Sequence, residues 1–345
     1  MEAEGKLSLV PSEKEWQALY HFLGRRGYTL RSRFDPDHVP LRSLGHDKKW
    51  YQTRNFEDEI WNKWPTVVDA VRSDGTRCVI RRTWTYSDEI PVLQQIGGYG
   101  FDKRNHVVPV LDILLLPTTD DQALVVMPLL RLFNNPPYSR VSEVVETVSQ
   151  FLECMQFLHE HLIAHRDFCA FNLMMDTTRL IPGGFHFAST SRPPDGSMAG
   201  LRYFDRSQVA PMKYFLIDFG LCSQLPSKDS LVTGVYGQDK TVPELSWDVP
   251  YSPFKVDIYQ FGRVILKDLV DNYTHLEFLR PLSEAMTRLS PEDRPDVDDA
   301  LRMFEQLVNS MKPADLKRRI KLKPDHTITY YTPRIRYCSN SFCVC

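Results

Sequence analysis

No sign of charge dominates this sequence of 345 residues, in which 42 Lys and Arg stand against 44 Asp and Glu. A globally basic nucleic-acid-binding surface is therefore excluded, and no nucleic-acid partner is expected. Long hydrophobic runs are also missing, because the longest, residues 107–116, is interrupted by Pro109 and Asp112. The start, MEAEGK, has neither the basic beginning nor the apolar core of a secretory signal. These absences predict a soluble intracellular protein, either cytoplasmic or nuclear.

Cysteine pairs with the CxxC spacing are absent too. Seven cysteines are scattered along the chain without a CxxC pair or a zinc-type spacing, at positions 78, 154, 169, 222, 338, 343 and 345. We therefore expect reduced thiols rather than disulfides or a structural zinc ion. The residues that are present, 42% hydrophobic and 25% charged, match the composition of an ordinary globular chain.

Shifts in the residue pattern divide the chain. Residues 1–60 form a charged N-terminal extension with one helical pattern, at residues 12–23. Residues 61–130 are predicted to form a small β-rich lobe with a hairpin turn at Asp74-Gly75. The expected strands and short helix of this lobe cover residues 66–71, 77–82, 87–96, 107–114 and 123–129.

Residues 131–311 have a mainly helical pattern. Apolar residues recur at spacings of three and four along a first buried helix, at Val144, Val145, Val148, Phe151, Leu152, Met155, Leu158 and Leu162. Residues 178–211, rich in Gly, Pro and Ser, predict a long surface loop inserted between two elements. Further helical patterns cover residues 256–269, 276–289 and 297–311, before a basic C-terminal tail, residues 312–345.

Two short motifs carry chemistry. The first long helix runs into HRDFCAFN, residues 165–172, and a later apolar strand ends in DFG, residues 218–220. They resemble the catalytic loop H-R-D-x-x-x-x-N and the D-F-G element of protein kinases. Matches to other elements of the family follow in its order, at VPE (242–244), DIYQFG (257–262) and Arg294. Over residues 66–311 the chain is thus similar to the protein kinase superfamily.

Two short segments indicate a subgroup within the superfamily. FH at residues 185–186 and VVMPLL at residues 125–130 resemble segments of divergent fungal protein-kinase-like proteins. The resemblance implies an α+β, two-lobed protein-kinase-like fold with a β-rich N-lobe, residues 61–130, and a helical C-lobe, residues 131–311. It also implies ATP and Mg²⁺ as cofactors and transfer of the γ-phosphate to a hydroxyl of an unidentified protein substrate.

The resemblance assigns roles to individual residues. Asp167 is expected to be the catalytic base, with Arg166 beside it to pair with a phosphorylated or acidic residue in the segment 221–241. Asn172 and Asp218 would supply hard oxygen ligands to Mg²⁺. Met127 and the hinge residue Leu129 would border the adenine. Three residues are expected to be structural, in an ion pair and a helix-to-loop hydrogen bond: Glu244, Arg294 and Asp257.

The sequence departs from the family at three places. Arg81 replaces the lysine that holds the α and β phosphates, with Glu89 as its expected partner and Lys63 as the alternative phosphate contact. No G-x-G-x-x-G precedes the hairpin, although glycine lets backbone amides approach phosphates closely. Cys169 stands where serine/threonine kinases carry a lysine. We therefore expect slow transfer. A serine/threonine kinase is the expectation, although the residue at position 169 leaves the choice between serine/threonine and tyrosine substrates open.

Two other functional classes remain open. A pseudokinase, acting as a binding or scaffold module, would keep the fold and lose the chemistry. A small-molecule kinase of the aminoglycoside type shares the catalytic Asp and Asn but usually lacks the A-P-E element and its arginine. The basic tail and the end Cys343-Val-Cys345 also permit membrane contact through lipidation, as an alternative to a solvated or nuclear-import tail.

Overall fold

The computed structural model describes residues 9–40 and 56–324. They form a mixed α/β structure in which a curled, five-stranded antiparallel sheet packs beside a mainly helical region. The sheet has the order β1-β2-β3-β5-β4. Its strands are β1 (Tyr28–Leu30), β2 (Val67–Arg72), β3 (Arg77–Trp84), β4 (Asp112–Leu115) and β5 (Gln122–Pro128).

The N-terminal region contributes directly to this sheet. Helices α1 (Pro11–Ala18) and α2 (Tyr20–Arg25) lead into β1, which pairs with β2 at one edge. Side chains from this region and from the sheet form one buried apolar cluster that includes Trp16, Leu23, Leu30, Phe34, Val68, Ile80 and Leu124. The sequence predicted only a helical pattern here. In the structure, β1 is an edge strand of the sheet, and apolar side chains of residues 16–34 pack against the side chains of the other strands.

The predicted hairpin at Asp74-Gly75 is confirmed. Gly75 has a φ of +83°, which glycine adopts without steric cost, and the backbone N–H of Arg72 donates to Thr76 O across the turn. Helix α3 (Glu89–Gly97) follows β3 as predicted. The strand predicted from residue 107 begins only at Asp112. Residues 106–108 pair instead with Leu216 of the helical region, whose N–H donates to His106 O and whose O accepts from the N–H of Val108.

The helical region is built around α4 (Val141–Glu160), whose predicted apolar face is buried. The remaining helices are α5 (Arg206–Val209), α6 (Pro253–Val264), α7 (Arg280–Met286), α8 (Val297–Asn309) and α9 (Pro313–Leu316), and α6 continues as a π-helical stretch, Ile265–Val270. The short strands are β6 (Arg131–Leu132), β7 (Ile163–Ala164), β8 (Leu173–Met175), β9 (Tyr214–Leu216), β10 (Ser223–Gln224), β11 (Val232–Gly234) and β12 (Ser246–Tyr251). Helix α7 is shorter than predicted, since Pro281 in its first turn marks its start.

The inserted segment, residues 178–211, is irregular as predicted, apart from α5, but it is not merely a surface loop. Part of it is buried, including Leu180, Ile181 and Phe185. Arg131 donates to Thr190 O (2.5 Å), and its guanidinium lies 4.9 Å from the ring centroid of Phe185. Phe187 packs against Trp64, near the sheet, with 4.6 Å between ring centroids. The segment therefore contacts both the helical region and the region next to the sheet.

Four cysteines, Cys78, Cys154, Cys169 and Cys222, are buried and free, as expected for reduced thiols. The other three, including the predicted lipidation end Cys343-Val-Cys345, lie outside the described residues. Within residues 9–40 and 56–324, none of the helices combines the length and the apolar character needed to cross a bilayer.

Candidate active site

Side chains of helix α6 fix the loop that carries the HRD motif. The carboxylate of Asp257, which is completely buried, accepts hydrogen bonds from the backbone N–H groups of His165 (2.9 Å) and Arg166 (2.7 Å). It also lies 3.0 Å from His159 Nε2. One turn later, Gln260 accepts from the N–H of Phe168 (2.8 Å). The predicted helix-to-loop hydrogen bond is confirmed, and two helical residues on one face fix the loop.

Asp167 and Asn172 form one hydrogen-bonded unit. Asn172 Nδ2 donates to Asp167 O (2.9 Å) and to Asp167 Oδ2 (3.0 Å). The backbone N–H of Gln238 donates to Asp167 Oδ1 (2.7 Å). Only 6% of Asp167 is exposed. Burial raises the pKa of Asp167, helped by the charge of Asp218 and opposed by the Gln238 hydrogen bond. The carboxylate is therefore a stronger base than a solvated aspartate.

Gln238 was not among the predicted site residues. It acts through its backbone N–H, a group that every residue except proline carries, so its side chain gave no signal in the sequence. The preceding Gly237 has a φ of +84°, and a Cβ at this position would lie 2.9 Å from Arg166 O. A glycine is therefore required for the backbone to approach Asp167 this closely.

The strand pair β8–β9 brings Asn172 and Asp218 together. Asn172 precedes β8, and its backbone O accepts a hydrogen bond from the N–H of Ile217, which follows β9 (3.0 Å). Asp218 is the next residue, with a φ of +66°, and 45% of its side chain is exposed. Phe219 is buried edge-on against His165, with ring centroids 4.8 Å apart. This packing turns the Asp218 carboxylate away from the core.

Arg81 links Asp218 to helix α3. Its Nη1 donates to Glu89 Oε1 (2.5 Å), and its Nη2 contacts Asp218 Oδ1 (2.7 Å). The Thr83 hydroxyl also donates to Glu89. The predicted pairing of Arg81 with Glu89 is present, and the contact with Asp218 was not predicted. Lys63, the alternative phosphate contact, is exposed.

The two charges of this pair affect each other. Burial raises the pKa of Asp218, but the positive charge of Arg81 outweighs it and the pKa is lowered overall. Burial likewise lowers the pKa of Arg81, while the charges of Asp218 and Glu89 raise it above its ordinary value. Asp218 and Arg81 are therefore both charged at neutral pH.

Carboxylate and amide oxygens are the ligands that Mg²⁺ prefers, so the side chains of Asn172 and Asp218 fit this ion chemically. No group of three or more His, Cys, Asp or Glu side chains in residues 9–40 and 56–324 is placed to hold a metal by itself. Magnesium bound here would therefore complete its coordination with water and phosphate oxygens, as it commonly does.

Met127 and Leu129 lie on the chain that leaves the sheet. Met127 is buried on β5 opposite Val79, and the N–H of Leu129 donates to Arg77 O (3.2 Å). Strand β6 begins two residues later. Met127 therefore lies within the sheet, and Leu129 lies between the end of β5 and the start of β6. Met127 is on the strand that pairs with β3, two residues along from Val125, which pairs with Arg81.

Arg166 reaches the segment that follows the DFG motif. Its Nη1 donates to Ser223 Oγ (3.1 Å), its Nη2 donates to Thr233 O (3.3 Å), and its guanidinium lies 5.3 Å from the ring centroid of Tyr236. The predicted ion pair of Glu244 with Arg294 is confirmed, with both carboxylate oxygens accepting at 2.6 and 2.8 Å. These contacts fix both ends of residues 221–244.

Comparisons with known proteins add no identification. No protein-family model matches the chain, and no curated protein matches it.

Proposed function

We propose that this protein has a two-lobed protein-kinase-like fold and transfers the γ-phosphate of ATP to a protein hydroxyl in the presence of Mg²⁺. The observation that carries the proposal is the hydrogen-bonded unit of Asp167 and Asn172 next to Asp218. The five motifs that resemble kinase elements also support it, because they follow one another in the family's order. Contacts join several of them, such as Asp257 with Arg166 and Glu244 with Arg294.

The chain's residues would contribute position and charge. The carboxylate of Asp167 would accept the proton of the attacking hydroxyl. At the same time the hydroxyl oxygen would form a bond to the γ-phosphorus, and the bond between that phosphorus and the β–γ bridging oxygen would break. The raised pKa of Asp167 favours this proton transfer. Asn172 and Asp218 would hold Mg²⁺, which neutralises phosphate charge when bound. Arg81, fixed by Glu89, would face the phosphates, and Met127 and Leu129 would border the adenine.

A phosphate-transfer assay tests the proposal. The wild type is incubated with γ-labelled ATP and Mg²⁺, with generic protein substrates in one arm and free hydroxylated small molecules in the other. Incorporation into protein should fall by about 10²–10⁴-fold in Asp167→Asn, because the proton acceptor is lost. Asp248→Asn, which changes an exposed aspartate, is the matched control. Full activity of Asp167→Asn would reject the assignment, and activity on small molecules alone would identify a different class of kinase.

A pseudokinase is the second candidate, and one contact favours it. Arg81 already bonds to the carboxylate that should hold the metal, and no glycine-rich loop is present to cover the phosphates. A thermal-shift titration with ATP separates the two functions, since a ligand of the folded state raises its melting temperature. An upward shift in the presence of ATP, with or without Mg²⁺, supports the enzyme. The absence of any shift at saturating nucleotide supports the pseudokinase.

A further inference from the structure

Arg81 is placed between two carboxylates rather than beside one. Its two terminal nitrogens are divided between Glu89 (2.5 Å) and Asp218 (2.7 Å). The planar fork of an arginine can hold two carboxylates at once, whereas the single nitrogen of a lysine is a compact point charge. The arginine at this position therefore joins α3 to the DFG segment by a direct contact.

The surroundings of this contact keep the guanidinium in place. Arg81 is 19% exposed, and Glu89, which anchors its other nitrogen, is only 3% exposed. Gly220 lies against the pair, where a Cβ would stand 3.2 Å from Arg81 Nη2 and 3.3 Å from Asp218 Oδ1. The carboxylate of Asp218 is 45% exposed and is therefore accessible to ions. Arg81 is held on its buried side, and Asp218 faces solvent.

The position of Arg81 has a consequence for metal binding. A divalent cation at Asp218 would meet a positive charge already bonded to one of its ligand oxygens, and like charges at this separation repel strongly. Removal of the guanidinium would leave Asp218 and Glu89 without that counter-charge and would draw a cation to the site. The guanidinium therefore supplies part of the positive charge that a metal would supply.

We propose that Arg81 is a built-in counter-cation of Asp218, which weakens divalent-metal binding there and lets the site take a nucleotide with little dependence on metal. The inference rests on the proposed function, which makes Asp218 a metal ligand. Arg81 is then a positioning residue that competes with the metal for Asp218, whereas a simple phosphate clamp would leave metal binding at Asp218 unaffected.

Metal binding without nucleotide tests this directly. Mn²⁺ accepts the same oxygen ligands as Mg²⁺, and its binding is followed by loss of the electron paramagnetic resonance signal of the free ion. We expect Arg81→Gln to lower the Mn²⁺ dissociation constant by at least about tenfold relative to the wild type, through loss of the competing charge. The gain should disappear in the double variant Arg81→Gln, Asp218→Asn, which lacks the ligand carboxylate.

Two further variants make the result specific. Arg82→Gln is the matched control, because Arg82 is the next residue on β3, points to the opposite face and pairs with Glu15. It should leave Mn²⁺ binding unchanged. Arg81→Lys keeps a cation beside Glu89 and should show a smaller gain. If Arg81→Gln fails to fold, Arg81→Lys decides the question. Wild-type Mn²⁺ binding as tight as that of the folded Arg81 variant would overturn the proposal.

A nucleotide titration separates this inference from the proposed function. The ATP dissociation constant is measured by calorimetry with Mg²⁺ and with a chelator. We expect the two values to agree within about threefold in the wild type and to diverge in Arg81→Gln, where the metal becomes the main counter-charge. A strong metal dependence in the wild type would contradict the inference. Failure to bind ATP under either condition would reject the proposed function, while the Mn²⁺ result would still decide the role of Arg81.

Discussion

The loop that carries the HRD motif, residues 165–172, and the Arg81 side of the candidate site are held by different kinds of contact. The loop is fixed by backbone N–H groups that donate to the buried side chains of Asp257 and Gln260. The Arg81 side is held by charged side chains, one of which, Asp218, is nearly half exposed. Backbone contacts in the core are shielded from solvent and salt, whereas partly exposed ion pairs are not. The contacts that fix the loop are therefore protected from solvent and salt, and those on the Arg81 side are partly open to both.

The largest effect should come from the buried anchor of the loop. Asp257→Asn replaces one acceptor oxygen by a donor that faces other donors, so we expect a loss of about 3 kcal/mol in the free energy of unfolding. Urea denaturation followed by fluorescence measures the loss. The exposed Asp248→Asn is the control and should change stability by less than about 0.5 kcal/mol. A similar small loss for Asp257→Asn would mean that water or side chains replace the anchor.

The sequence carried different amounts of information about the two sides. Local patterns predicted the Asp74-Gly75 hairpin and α4, and the resemblance to kinase motifs predicted the ion pair of Glu244 with Arg294. Contacts between distant segments that follow no motif were not predicted. Strand β1 has only three residues, too few for a periodic pattern, and its pairing with β2 depends on tertiary contacts.

The missed contact of Arg81 with Asp218 has the same origin. The substitution of an arginine for a lysine is visible in the sequence. That one terminal nitrogen contacts Glu89 and the other contacts Asp218 depends on where the DFG segment packs. Likewise, the Gly and Pro content of residues 178–211 predicted irregular structure correctly. It contained no information that Phe187 would reach Trp64.

A glycine on each side allows the comparison to be made with one type of substitution. Gly237→Ala, on the side of the loop, puts a Cβ 2.9 Å from Arg166 O at a φ of +84°. Because backbone cannot move aside cheaply, we expect a loss of about 2 kcal/mol in stability. The shift should also weaken the Gln238 hydrogen bond to Asp167. Thermal and urea unfolding measure the effect, with Gly183→Ala, a site with no atom within 4 Å, as the control.

Gly220→Ala, on the Arg81 side, should have a smaller effect. The new Cβ would meet Arg81 Nη2 at 3.2 Å and Asp218 Oδ1 at 3.3 Å, and both atoms are side-chain ends rather than backbone, so a displacement of a few tenths of an ångström relieves the contact. We expect a loss of about 1 kcal/mol or less, measured by the same unfolding experiments. A loss larger than that of Gly237→Ala would show that the Arg81 side is the more rigid of the two, and would reverse the comparison.

The smallest effect concerns the proton of Asp167. Its pKa is raised in the folded protein, chiefly by burial. Ionisation of Asp167 is therefore less favourable in the folded protein than in the unfolded chain, and it lowers the free energy of unfolding. As pH rises from below the unfolded pKa through the folded pKa, the wild type should lose stability relative to Asp167→Asn, which does not titrate, and the gap should then stay constant. Melting temperatures of both proteins from acid to neutral pH measure this gap. A gap independent of pH would mean that the Asn172 and Gln238 hydrogen bonds fully compensate for burial, so that Asp167 ionises as readily in the folded protein as in the unfolded chain.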